Sequence, residues 1–247
     1  MKLKICAKLT FPVLLCLSLM LALGCAHQLV VTNLDSYRGF GVASFDKPLK
    51  IGIVTDATEP EQRRLLDGVA NALGSYSAQV VMPYQVNSQK KVDVVAHIDI
   101  QSEHSGSGWN FLINWPGFLV WAPAWHGYIY EVKYTINCTL AKGGSNDRID
   151  QFKIPIALDI RHAAFNRTWT EVSWLEVSAI AFVGGLVFIS YDENVTPLLS
   201  DKTESPLGKY IAQEIVKRIN ATGGFSQIYL NRATEKVALW GPQIPQG

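Results

Sequence analysis

Between Val92 and Gln101 apolar and polar residues alternate, placing Val92, Val94, Ala96, Ile98 and Ile100 on one side of an extended chain and polar groups on the other. Successive side chains of a strand point to opposite faces, so a segment spelled this way belongs in a sheet with one covered and one solvated face. Two more strands follow. Tyr128 to Leu140 and Gln151 to Ile160 read as a long antiparallel pair joined across Lys142-Gly143-Gly144-Ser145-Asn146-Asp147, a run of turn formers.

A one-sided sheet needs a cover, and helical patterns flank these strands. Leu49 to Val54 is a short apolar strand, and Thr58-Glu59-Pro60-Glu61 has the form of a capping box at a helix start. Leu65, Leu66, Val69 and Leu73 follow at helical spacing, and Gly74 is placed to end the element. Ala78 to Pro83 reads as another strand. Farther on, Ser205-Pro206 predicts a helix entry, with Leu207, Ile211, Ile215 and Ile219 as its apolar stripe and Gly223-Gly224 as its stop. Phe225 to Leu230 offers a last strand. The expected fold class is α+β, a mixed or antiparallel sheet with two amphipathic helices on one face and two apolar insertions.

The insertions are the segments that do not fit the sheet. The first, residues 109–127, contains Phe111 to His126 without a single Asp, Glu, Lys or Arg, and carries Trp109, Trp115, Phe118, Trp121 and Trp125. Trp115-Pro116-Gly117-Phe118 suits a turn, and Pro123 interrupts any continuous helix or central strand. Tryptophan favours the boundary between hydrocarbon and water, so the run reads as a membrane-surface or oligomer contact. The alternative is that the rings fill the bottom of the sheet. The second insertion, residues 172–191, has one charge, Glu176, and carries Trp174, Phe182 and Phe188. It fits a buried core element, a transmembrane helix weakened by Glu176 and Gly184-Gly185, or a hairpin turning at those glycines.

The N-terminus bears on location. Lys2, Lys4 and Lys8 precede an uncharged run from Phe11 to Leu23, the length of a signal-peptide core and short for a membrane span. Leu21-Ala22-Leu23-Gly24-Cys25 resembles the lipobox of bacterial lipoproteins. The resemblance implies that residues 1–24 are a signal peptide and that Cys25 becomes the mature N-terminus, with diacylglycerol on its thiol and further acyl chains such as palmitate. Each buried methylene contributes roughly 0.8 kcal/mol and one chain holds weakly, so several chains make attachment effectively permanent. In that family Ala26, the residue after the cysteine, is compatible with export to the outer membrane.

Cleavage before Cys25 would leave 19 basic residues against 21 acidic ones, a net of −2, with no footprint for nucleic acid. Cys6 and Cys16 would leave with the signal peptide, so Cys138 would be the only free thiol and no internal disulfide could form. Cys138 lies in a strand-like run with no charge cluster to stabilise a thiolate and reads as buried and inert. The histidines, His27, His97, His104, His126 and His162, are scattered. On a strand, His97, Asp99, Gln101 and Glu103 share a face that offers metal-ligand atoms, but a solvated sheet face accounts for the same pattern. No esterase elbow, phosphate-cradling glycine loop or zinc-protease motif occurs.

Residues 25–48 read as a tether, 49–230 as a single domain and 231–247 as a tail. The order of strands, helices and insertions over 49–230 is similar to the periplasmic domain of the curli-secretion-pore lipoprotein, a resemblance of architecture that implies a ring-forming alternative. The expectation is a non-enzymatic lipoprotein of the bacterial envelope, anchored at the periplasmic face of the outer membrane. Its partners would be membrane lipid through Cys25, and copies of itself or other envelope proteins; no cofactor, metal or nucleic acid is expected. The alternatives are an oligomeric export-channel subunit or a metal-dependent periplasmic enzyme.

Overall fold

Every second residue from Tyr128 to Leu140 is buried, and so is every second residue from Phe152 to His162. That alternation runs along two long strands, and the computed structural model describes them together with the rest of residues 28–38, 45, 48–76, 78–85, 91–110, 127–145, 147–163 and 189–222. The signal peptide expected at 1–24, Cys25, the strand expected at 225–230 and the tail expected at 231–247 lie outside the described residues. The strands are β1 (Gln28–Val31), β2 (Leu49–Val54), β3 (Ala78–Val81), β4 (Val94–Gly106), β5 (Tyr128–Lys142) and β6 (Arg148–Ala163). The helices are α1 (Pro60–Ser75) and α2 (Val195–Ala221).

The fold is α+β, a mixed sheet in the order β1-β6-β5-β4-β2-β3 with two helices. β2 runs parallel to both β3 and β4, as the crossover through α1 requires. β1 pairs antiparallel with β6. β5 and β6 form a hairpin closed by the Lys142 amide on the Asp147 carbonyl at 2.8 Å. β4 and β5 are antiparallel: Asn137 meets Asp99, and the Ser107 amide donates to the Ile129 carbonyl.

The described chain gathers into two compact units. One takes residues up to Asn33 with Glu103–Lys133 and Ala157–Leu199; the other takes Leu34–Ser102, Tyr134–Ile156 and Ser200 onward. β4, β5 and β6 contain 13, 15 and 16 residues. Strands usually have about 5–6 residues, so each of these is long enough to give one stretch to each unit.

The helices belong to the second unit for most of their length. α1 starts at Pro60 with Glu59 as its N-cap and no side-chain cap bond, so the expected Thr58 capping box does not form. The reason is Pro60, which takes the first helical position and shifts the cap to Glu59, while the Glu61 carboxyl accepts from the Tyr134 hydroxyl of β5. Gly74 lies inside the helix, which ends at Ser75.

α2 begins at Val195, ten residues before the expected entry, and passes through Pro206. Val195, Leu199, Thr203, Leu207, Ile211, Ile215 and Ile219 are all buried at four-residue steps, and this unbroken stripe holds the helix together across the proline. α1 and α2 meet at backbone level: a methyl group on Gly68 would fall on the Glu204 carbonyl, and one on Gly208 on Gly68 itself.

The opposite face of the sheet is not polar throughout, as the spelling of Val92 to Gln101 suggests. Tyr84 folds back with its amide on the Ile53 carbonyl at 2.8 Å, and its ring fills the space over Gly52. Beneath it Val92, Val95 and Ala141 are buried as a small second core. Asp93 secures this corner: its Oδ2 accepts from the Lys50 amide at 2.9 Å, and its carbonyl accepts from the Gly143 amide at 2.9 Å.

Candidate functional site

The first unit brings together the described ends of both insertions. β1, unanticipated within the expected tether of 25–48, pairs Gln28 with Ala163, Leu29 with His162, Val30 with Arg161 and Val31 with Ile160. Asn33 extends the pairing beyond the strand, its Nδ2 donating to the Ala157 carbonyl at 2.8 Å and its Oδ1 accepting from the Asp159 amide at 3.0 Å. The Thr32 amide adds a bond to the Asp159 carbonyl at 2.9 Å. Six consecutive residues, from Gln28 to Asn33, are therefore fixed along β6. The Leu-Val-Val run at 29–31, rich in β-branched residues, was the available signal.

The first insertion leaves β4 through a fixed turn. The Asn110 amide donates to the Ser107 carbonyl at 3.0 Å, and the Trp109 amide to Ser107 Oγ at 3.3 Å. The Asn110 side chain, fully buried, works like a strand backbone: Nδ2 donates to the Ile129 carbonyl at 2.9 Å and Oδ1 accepts from the Ile129 amide at 2.8 Å. Trp109, held between these anchored neighbours, is 65% exposed, the most exposed large apolar side chain among the described residues. The insertion returns at Gly127, whose φ of 73° needs glycine and whose Cα faces the backbone of His162 and Ala163.

Beyond Ala163 the described chain resumes at Ile189, within the second insertion of 172–191. A methyl group on Gly106, the last residue of β4, would fall on the Ile189 carbonyl. Tyr191 then packs edge-on against Tyr130 at 5.3 Å between centroids and lies 4.6 Å from the His104 ring. The chain is thus fastened to both β4 and β5 before α2 starts.

Gln28, Gly106, Asn110, Gly127, Ala163 and Ile189 form one edge of this unit, where β1 and β5 start and β4 and β6 finish. Of the aromatic residues named from sequence, Trp109 is exposed on this edge. Trp115, Phe118, Trp121, Trp125, Trp174, Phe182 and Phe188 lie outside the described residues, as does Cys25. Among the described helices none is long and apolar enough to cross a membrane.

Asp99 accepts from Gln101 Nε2 and Asn137 Nδ2, each at 3.1 Å, along the solvated face of β4. Among the described residues no three His, Cys, Asp or Glu side chains are grouped as metal ligands. Cys138 is fully buried in β5, and burial together with the nearby Asp150 carboxyl pushes its thiol up to about 12. A thiol so far from ionisation at neutral pH is a packing residue, not a nucleophile.

No known protein family matches the chain, and no curated protein does. Its fold is similar to a candidate lipoprotein of Caulobacter crescentus, with 8% identity over 79% of this chain and 97% of that one and a TM-score of 0.34. It is similar to a minor lipoprotein of Acinetobacter baumannii, with 10% identity over 64% and 94% and a TM-score of 0.31. Rare lipoprotein B of Shewanella oneidensis gives 14% identity over 64% and 98%, with a TM-score of 0.27. Likeness of this degree carries no inference about what this chain does.

Proposed function

We propose that this chain is a lipoprotein of the bacterial envelope, held at the periplasmic face of the outer membrane by acyl chains on Cys25, with an interaction role and no catalytic one. The lipobox-like Leu21-Ala22-Leu23-Gly24-Cys25 supplies the anchor, and Ala26 supports export to the outer membrane. One structural observation carries the reading further: Gln28, three residues after Cys25, is in register with Ala163, so an anchor at Cys25 is tied directly to the folded chain.

Two measurements test this function. Mass spectrometry of the mature N-terminal peptide is expected to find Cys25 as the first residue carrying acyl groups, and Cys25→Ser is expected to move the protein out of the firmly membrane-bound fraction. An unacylated peptide, or cleavage at another position, sinks the proposal. Mass per particle after detergent extraction addresses the ring-forming alternative, which a single-copy particle excludes.

A further inference from the structure

We infer that the edge bearing Gln28, Trp109, Gly127 and Ala163 is a lipid-contact surface, meeting the same leaflet that holds the acyl chains; this rests on acylation of Cys25 as proposed above. The argument is one of reach. Three residues of extended chain span at most about 11 Å, so Gln28 cannot leave the neighbourhood of an acylated Cys25. Ala163 opposes Gln28 across an antiparallel pair, a step of about 5 Å. Ala163 therefore stays within about 16 Å of the anchored residue, and Gly127 packs against the backbone of His162 and Ala163. The interfacial layer on each side of the hydrocarbon is itself about 5–8 Å thick, so the edge is never far from headgroups.

Composition at this edge agrees with a lipid occupant. The sixteen residues of sequence that separate Asn110 from Gly127 contain no Asp, Glu, Lys or Arg. Trp109 stands exposed on a backbone fixed by Ser107 and Asn110, so its exposure is imposed by the fold. An indole held out in this way gains most at a boundary where its ring meets hydrocarbon and its N–H meets water or headgroups.

The test uses the full acylated protein in vesicles of phosphatidylethanolamine and phosphatidylglycerol, with Trp109→Cys carrying a polarity-sensitive dye. Cys138 does not compete for label, being buried and unionised. Gly108→Cys is the second probe; its Cβ would stand in open space, so it leaves both the fold and Trp109 in place. The expected result is a blue-shifted emission and loss of quenching by aqueous iodide at both positions. Dyes that stay fully quenchable on vesicle-bound, acylated protein overturn the inference while acylation itself stands. Protection that appears without lipid in Cys25→Ser protein, and grows with protein concentration, overturns it in favour of a second copy covering the edge. Absence of acyl groups from Cys25 removes its premise and sinks it with the proposed function.

Discussion

Gly68 and Gly208 let two helices touch at backbone level, and this decides the sign of a small substitution. An alanine inside a helix ordinarily gains about 1 kcal/mol over glycine, but overpacking a fixed contact costs about 1–3 kcal/mol. The atom a Gly68 methyl would meet is the Glu204 carbonyl, which cannot swing aside as a side-chain tip can. Gly68→Ala is therefore expected to lower the urea midpoint, whereas Gly74→Ala, with nothing near its Cβ, is expected to raise it. Equal effects would refute the close approach. Cys138 supplies a pH prediction. Its thiol ionises at about 12 in the folded chain against a reference of 9.0, so the unfolded chain loses the proton first as pH rises. The stability contributed by burying the neutral thiol is complete below pH 9.0 and is lost toward about 12, at up to about 1.4 kcal/mol per pH unit. Cys138→Ala, whatever its stability at pH 7, is expected to lack this component of the alkaline fall in chemical denaturation. The burial of Cys138 was legible in its strand, because the alternation assigns it a face; the role of Gly68 was not, because it depends on a helix 140 residues away.

At the scale of elements, the sequence spelled out what local periodicity controls and hid what distant partners control. β2 lies where Leu49 to Val54 placed it, and β5 and β6 extend the expected hairpin. The start of α2 was hidden because Ser205-Pro206 is a strong local signal for entry, outweighed only by a buried stripe reaching back to Val195. β1 was hidden because four residues carry too little pattern to separate an edge strand from a tether. The proposed contact edge was half legible: Trp109 stood out, but Asn110 did not. Nothing local distinguishes an asparagine that hydrogen-bonds twice to Ile129 from one in a loop. Asn110→Ala is expected to cost about 1–3 kcal/mol by removing partners from a buried pairing. Hydrogen exchange at the Ile129 amide should quicken in that variant and stay slower in Asn110→Asp, which keeps the accepting oxygen. Unchanged exchange in Asn110→Ala would mean that the side chain does not hold the root of the first insertion.

For the molecule as a whole, the balance of charge separates two ways of staying on a membrane. A chain beginning at Cys25 has a net charge of −2, and ion pairs such as Arg38–Asp35 and Arg64–Asp201 are exposed and individually weak. Such a protein has no net attraction to anionic lipid, where each basic residue near the surface is worth about 1 kcal/mol to a polybasic protein. Acyl chains and an apolar edge do not depend on that attraction. Raising salt to about 1 M shortens the screening length to about 3 Å and removes surface electrostatics without weakening burial of hydrocarbon. Membrane association of the wild-type protein is therefore expected to survive a high-salt wash and to be as firm on neutral vesicles as on anionic ones. An alkaline carbonate wash is the poorer experiment, because it works within the range above pH 9.0 where Cys138 already weakens the fold, and release there would confuse unfolding with loss of anchoring. Release by neutral salt has no such ambiguity: a protein that comes off in it is held by charge, and neither the acylated cysteine nor the tryptophan edge is what keeps it there.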